Sequence, residues 1–165
     1  MRLIPVSARR LLALGIAVIA TTAPALASPG TLLEVASSRS NLTMFVSAVK
    51  TAGLADMLSS AGDYTVFAPT DDCFAKIPAD HRDAMMRDPA RLKAWLQHFI
   101  VPARVAIHSP DGDLGSAMLP TVGGGTLEAK LSANNDLTVG GARVVAADIA
   151  ASNGMLDTID RVPAP

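Results

Sequence analysis

The chain has 165 residues, half of them hydrophobic, with 14 basic and 15 acidic side chains and a formal net charge of −1. That length suits one domain with its own core. So balanced a charge lacks the basic face that a nucleic-acid partner would require.

The first residues read as an export signal. Arg2, Arg9 and Arg10 form a positive start, Leu11 to Ala20 is an apolar run, and Ala25-Leu26-Ala27 is a small-x-small cleavage pattern. An apolar run of about ten residues falls short of the roughly 20 needed to span a bilayer, so no stable membrane anchor is expected after cleavage. The reading is therefore a signal peptide over 1–27 and one domain over 28–165, exported to the periplasm, the cell surface or the medium. Losing three arginines leaves 11 basic against 15 acidic residues, a mildly acidic domain. The single cysteine, Cys73, allows no internal disulfide, so stability must come from packing. Cys73 reads as a small buried hydrophobe rather than a reactive thiol, because Asp71 and Asp72 beside it oppose thiolate formation.

After a Pro-Gly turn, Leu32, Leu33 and Val35 mark a short helix. Asn41 is placed as an N-cap before Leu42, Phe45, Val46 and Val49, whose spacing fits one helical face, and Gly53 ends that helix. Leu54, Met57 and Leu58 add one more turn. Tyr64 to Ala68 reads as an apolar strand stopped by Pro69 and turned at once into a helix. Thr70 and Asp71 are placed to cap it, and Pro78 terminates the run. Phe67, Phe74 and Ile77 are expected to meet in one core. Asp88-Pro89 starts a further helix with buried face Leu92, Trp95, Leu96 and Phe99. Ile100-Val101-Pro102 enters a strand, and Val105 and Ile107 continue extended.

From Gly123 the texture is β. Leu127, Ala129 and Leu131 alternate, Asn134-Asn135-Asp136 is a turn, and Gly140-Gly141 joins Leu137–Val139 to Ala142–Ala147 as a hairpin. Asn153-Gly154 is a second tight turn leading into Leu156, Ile159 and Val162. Helices first and strands second read as α+β.

These residues carry a resemblance. Thr65-Val66-Phe67-Ala68-Pro69-Thr70-Asp71, followed by Phe74 and Ile77-Pro78, is similar to the first signature of the fasciclin (FAS1) domain family of secreted and surface adhesion proteins. Asn153-Gly154-Met-Leu-Asp-Thr-Ile159-Asp-Arg-Val162 resembles its second signature, and Ala52 to Leu58 matches the pattern upstream of the first. The resemblance covers about Leu32 to Pro165 and implies a single FAS1-like α+β domain, with N-terminal helices packed on a C-terminal β-sheet wedge or sandwich. The family's Tyr-His pair is not intact here. Counted back from Pro102 it falls on His98 and Phe99, or with an insertion on Gln97 and His98. The second signature usually has His where this chain has Asp157. Asp148-Ile149 occupies the place of an Asp-Ile dipeptide that integrin-binding animal members carry. It reads either as an adhesion contact or as a turn-facing carboxylate beside an apolar strand residue.

Enzymatic chemistry finds no footing. His81, His98 and His108 are isolated, and neither a metal-ligand spacing nor a Gly-x-Ser-x-Gly elbow occurs. Gly123-Gly124-Gly125 precedes no helix or Lys-Ser/Thr, so it is a turn rather than a phosphate loop. Asp80 and Asp83 belong to a solvated face. No cofactor or metal is expected. Two binding roles remain open. One is adhesion at the cell surface or matrix through protein or polysaccharide contact. The other is carriage of an apolar small molecule such as a lipid or carotenoid, motivated by Met85-Met86, Trp95 and the apolar composition.

Overall fold

The structure, a computed structural model, describes residues 29–105, 116–132, 134 and 136–162. The expected signal peptide, together with Ile107, His108 and Asn135, lies outside the described residues. Among the described residues six helices and seven strands follow one another: α1 (Leu32–Ser37), α2 (Thr43–Thr51), α3 (Ala55–Ser59), β1 (Tyr64–Pro69), α4 (Asp71–Lys76), α5 (Ala79–Arg87), α6 (Pro89–Gln97), β2 (Ile100–Val101), β3 (Ser116–Pro120), β4 (Thr126–Leu131), β5 (Leu137–Val139), β6 (Ala142–Ala151) and β7 (Gly154–Ile159). The fold is α+β, as the order of helical and strand patterns predicts. No helix among the described residues is long and apolar enough to cross a membrane.

The strands form one sheet in the order β2-β1-β7-β6-β5-β4-β3. Among the described strands only β1 and β7 run parallel. The hairpin between β5 and β6 turns through Gly140 and Gly141, both at positive φ (56° and 79°), the backbone that a tight two-residue turn demands. The sheet curls until its far edges approach. The Val122 N–H donates to the Ile100 carbonyl at 2.8 Å and the Gly123 N–H to the Gln97 carbonyl at 3.1 Å. The glycine run is thus the β3–β4 turn, and it closes a near-barrel.

Two apolar clusters result. Successive residues of a strand point to opposite faces, so β1 feeds both. Val66 and Ala68 join Leu32, Phe45, Leu58, Phe74, Leu92, Leu96 and Leu156 beneath the helices. Phe67 turns the other way and joins Phe99, Val101, Leu119, Leu127, Val139 and Ile159 inside the curled sheet. The expectation of one core shared by Phe67, Phe74 and Ile77 is therefore corrected. Phe74 and Ile77 belong to the helix-side cluster and Phe67 to the sheet's own interior. Trp95 bridges the two, edge-on to Phe74 (6.0 Å) and to Phe99 (4.8 Å).

The helix caps differ from expectation in an instructive way. Asp88 caps α6 as its sequence predicts, accepting from the Arg91 N–H at 3.1 Å. Asn41 does not cap α2, because the N-cap position is Leu42, which has no side-chain oxygen to offer. Nor do Thr70 and Asp71 cap α4 with their side chains. Asp71 instead reaches across to α2. Its carboxylate accepts from the Met44 N–H at 2.8 Å, the Thr43 N–H at 3.3 Å and the Thr43 hydroxyl at 2.6 Å. A negative charge there also complements the positive end of the α2 dipole. The Thr70 hydroxyl lies 3.4 Å from Cys73 Sγ, and the buried Cys73 thiol donates to the Ile159 carbonyl at 3.1 Å. Asp71→Ala is expected to cost about 1–2 kcal/mol, the upper range for a lost N-cap, while Asp71→Asn, which keeps one acceptor, loses less. Denaturant titration checks both; equal, negligible losses would mean α2 does not rely on Asp71.

Candidate binding surface

The turn before β7 fixes where the second signature sits. Asn153 is buried, and its side chain ties three elements together. Its Nδ2 donates to the carbonyls of Leu58 (2.9 Å) and Ser60 (2.7 Å), and its Oδ1 accepts from the Leu32 N–H (2.8 Å). The Tyr64 N–H donates to the Asn153 carbonyl at 3.2 Å, which starts the parallel pairing of β1 with β7. Gly154 follows because no side chain fits: a Cβ there would lie 2.0 Å from the Tyr64 carbonyl oxygen.

From that anchor β7 pairs with β6, and the pairing is twice irregular. The partners are Val144 with Ile159, Ala146 with Thr158, and Ile149 with Leu156. Val145 is therefore an extra residue, and Ala147 and Asp148 together face the single residue Asp157. Such bulges bend a strand and redirect its side chains. Asp148 takes a left-handed backbone, φ 56°, alone in doing so among the described non-glycine residues. Aspartate tolerates that region better than most residues, though it still costs about 1–2 kcal/mol. Its N–H donates to Asp157 Oδ1 at 2.7 Å.

Asp157 itself is 1% exposed. Register places it beside Phe67 across β1–β7, on the face that carries Ile159 into the sheet interior. The Phe67 N–H in turn donates to the Phe99 carbonyl at 2.9 Å. Three of the positions singled out in the sequence, Phe99, Asp157 and Asp148, thus lie along one row across the sheet, with Phe67 between them. Ile149 stands beside the row, half-buried against the helix-side cluster. His98 lies apart and exposed at the C-terminus of α6, against the glycine turn. A Cβ on Gly125 would approach its Nδ1 to 3.1 Å. The displaced Tyr-His position is therefore split: His98 outside, Phe99 inside.

The structure adds neighbours that the sequence did not single out. Val145 is 62% exposed, and Ala147 and Ala150 are exposed with it on β6. The run Val144-Val145-Ala146-Ala147 is apolar at both parities, more than a strand with one wet face needs. That redundancy was the available signal, and the bulges explain it. Asp148, half-buried, lies on the same strand. The residues that motivated a carrier are engaged in packing. Met85, Met86 and Trp95 are half-buried against the helix-side cluster. Among the described residues no group of three or more His, Cys, Asp or Glu side chains is arranged to hold a metal ion.

Comparison with known proteins follows the same lines. A family model described as the fasciclin domain matches residues 40–165. Protein sll1483 of Synechocystis is 33% identical over 137 residues, covering 82% of this chain and 73% of that protein. The transforming growth factor-beta-induced protein ig-h3 of Sus scrofa is 32% identical over 82% of this chain, which spans only 19% of that much longer relative. Among solved structures, a FAS1 domain pair from the insect cell adhesion molecule fasciclin I aligns with a TM-score of 0.59 at 25% identity. That match covers 74% of this chain and 44% of the pair.

Proposed function

Because the chain belongs to the fasciclin (FAS1) domain family, whose domains are non-enzymatic binding modules, we propose that it is an exported adhesion module. In this reading it contacts a protein at the cell surface or matrix through the bulged strand β6. One observation carries the reading: Asp148, at φ 56°, is set on a strand whose Val145, Ala147 and Ala150 are all exposed. An apolar strip around a single carboxylate complements a protein surface that offers a cation ringed by apolar side chains. A polysaccharide would call for an aromatic platform. The chain's one Trp and one Tyr, Trp95 and Tyr64, both pack against the helix-side cluster. The likeness to an insect cell adhesion molecule supports a contact role. The leader expected over residues 1–27 would deliver the domain to where contact occurs. A single small module has little avidity, so useful adhesion would rest on clustering or a multivalent target.

The test is retention of protein-coated beads on washed cells of the source organism. Asp148→Ala is expected to reduce retention several-fold while lowering the thermal midpoint by no more than about 5 °C. A partly exposed carboxylate contributes little to stability, and the rest of the loss is aspartate's easier fit to a left-handed backbone. Protease treatment of the cells should abolish retention. Retention unchanged by Asp148→Ala removes β6 from the contact, and retention lost only after glycosidase treatment would make the partner a polysaccharide.

A further inference from the structure

The contact reading leaves open what holds Asp148 in a backbone conformation that side chains disfavour. Local sequence does not provide it: Ala147-Asp148-Ile149 contains no glycine, and Ile149 is held in the ladder opposite Leu156. The Asp148 amide donates to the opposite strand, to Asp157 Oδ1 at 2.7 Å. In a regular antiparallel ladder that amide would seek a backbone carbonyl. In the bulge the two residues Ala147 and Asp148 share one partner position, and the side chain of the residue at that position supplies the acceptor. Asp157 is well placed to act as a fixed strut. It is 1% exposed, and its strand is flanked on the other side by β1 in continuous register from Tyr64–Gly154 to Pro69–Ile159.

We propose that Asp157 is a positioning residue for the β6 contact surface: its buried carboxylate grips the Asp148 amide and so fixes the left-handed bulge that presents the Asp148 side chain. The proposal rests on the contact reading for its functional consequence, but its structural core can be measured separately. An acceptor at residue 157 is what the arrangement requires. Asparagine should therefore serve in part, and a side chain without an oxygen should not.

Two measurements on the full domain decide it. In the wild-type protein, a through-hydrogen-bond NMR correlation is expected between the Asp148 amide nitrogen and the Asp157 side-chain carboxyl carbon. Its absence from a spectrum that shows the β6–β7 ladder correlations would overturn the proposal, with no variant needed. In Asp157→Ala, hydrogen exchange at the Asp148 amide is expected to accelerate at least tenfold while the amides of Val66 and Phe67 keep their protection. Asp157→Asn is expected to restore slow exchange. Bead retention should follow the same order, falling with Asp157→Ala and recovering with Asp157→Asn, at a temperature where every variant is folded. Exchange at Asp148 that is unchanged in Asp157→Ala overturns the proposal. If Asp148→Ala leaves bead retention intact, it is the contact reading that fails, a result the exchange and correlation data cannot mimic.

Discussion

Gly154→Ala is expected to destabilise the domain by about 4 kcal/mol or more, in the range reserved for exceptional single substitutions. The added methyl would lie 2.0 Å from the Tyr64 carbonyl oxygen, 2.9 Å from the Tyr64 carbonyl carbon and 3.0 Å from Leu32 Cδ1. The first two are backbone atoms in the parallel ladder, so relief requires β1 and β7 to separate where their pairing begins. Separation there would also break the Tyr64–Asn153 backbone bond and loosen the Asn153 side chain from Leu32, Leu58 and Ser60. Gly141→Ala is the control. It has positive φ (79°) but nothing within 4 Å of its added Cβ, and it should lose only about 1–2 kcal/mol. Urea titration measures both. If the two variants lose equal stability, the close approach of β1 to β7 is not what makes glycine necessary at residue 154.

That result would also explain why the second signature reads so clearly in sequence. Asn153-Gly154 announces a tight turn, and the structure uses both Nδ2 donors and the Oδ1 acceptor of Asn153 and the missing Cβ of Gly154. The strand, stop and helix from Tyr64 to Lys76 were legible for the same reason: Pro69 and Pro78 act locally. What sequence could not reveal depends on distant partners. Asp71 looks like a cap for its own helix, yet the N–H groups it accepts from are 27 and 28 residues earlier. Phe67 and Phe74 look like members of one core because both are large and apolar. Assigning them to different cores requires knowing that β1 is covered on both faces. The segment Ser116–Pro120 carries no strong alternation, and it becomes a strand by pairing with β4. The bulge at Ala147-Asp148 has no glycine to mark it, and only the register on either side reveals it. In sequence Asp148 and Asp157 belong to two separate patterns with nothing to link them. Their hydrogen bond makes them one unit.

Phe67→Ala is expected to cost about 3–5 kcal/mol, the range for a buried aromatic replaced by a cavity. That is a large share of the roughly 5–15 kcal/mol that holds such a domain together. Phe67 is 0% exposed and shares the interior cluster with Phe99 from the turn before β2, and with Val101, Leu119, Leu127 and Ile159 from β2, β3, β4 and β7. A short β2 and a mostly exposed β3 have little freedom to collapse inward usefully, because their backbones are held by the ladder and by the Val122–Ile100 bond. The cavity should therefore persist, which puts the loss toward the upper end of that range. A loss below about 1 kcal/mol in a denaturant titration would show that the curled sheet has no interior at Phe67. The consequence should extend to the surface. Phe67 lies between Phe99 and Asp157 in the cross-sheet row, so a cavity there removes packing from behind the Asp157 carboxylate. Amide exchange at Asp148 should rise in Phe67→Ala at temperatures where the domain is still folded, while exchange at Leu92 and Leu96 in the helix-side cluster should rise less. Equal acceleration at both places would mean the two clusters open as one unit, and that the row has no privileged coupling to the bulge.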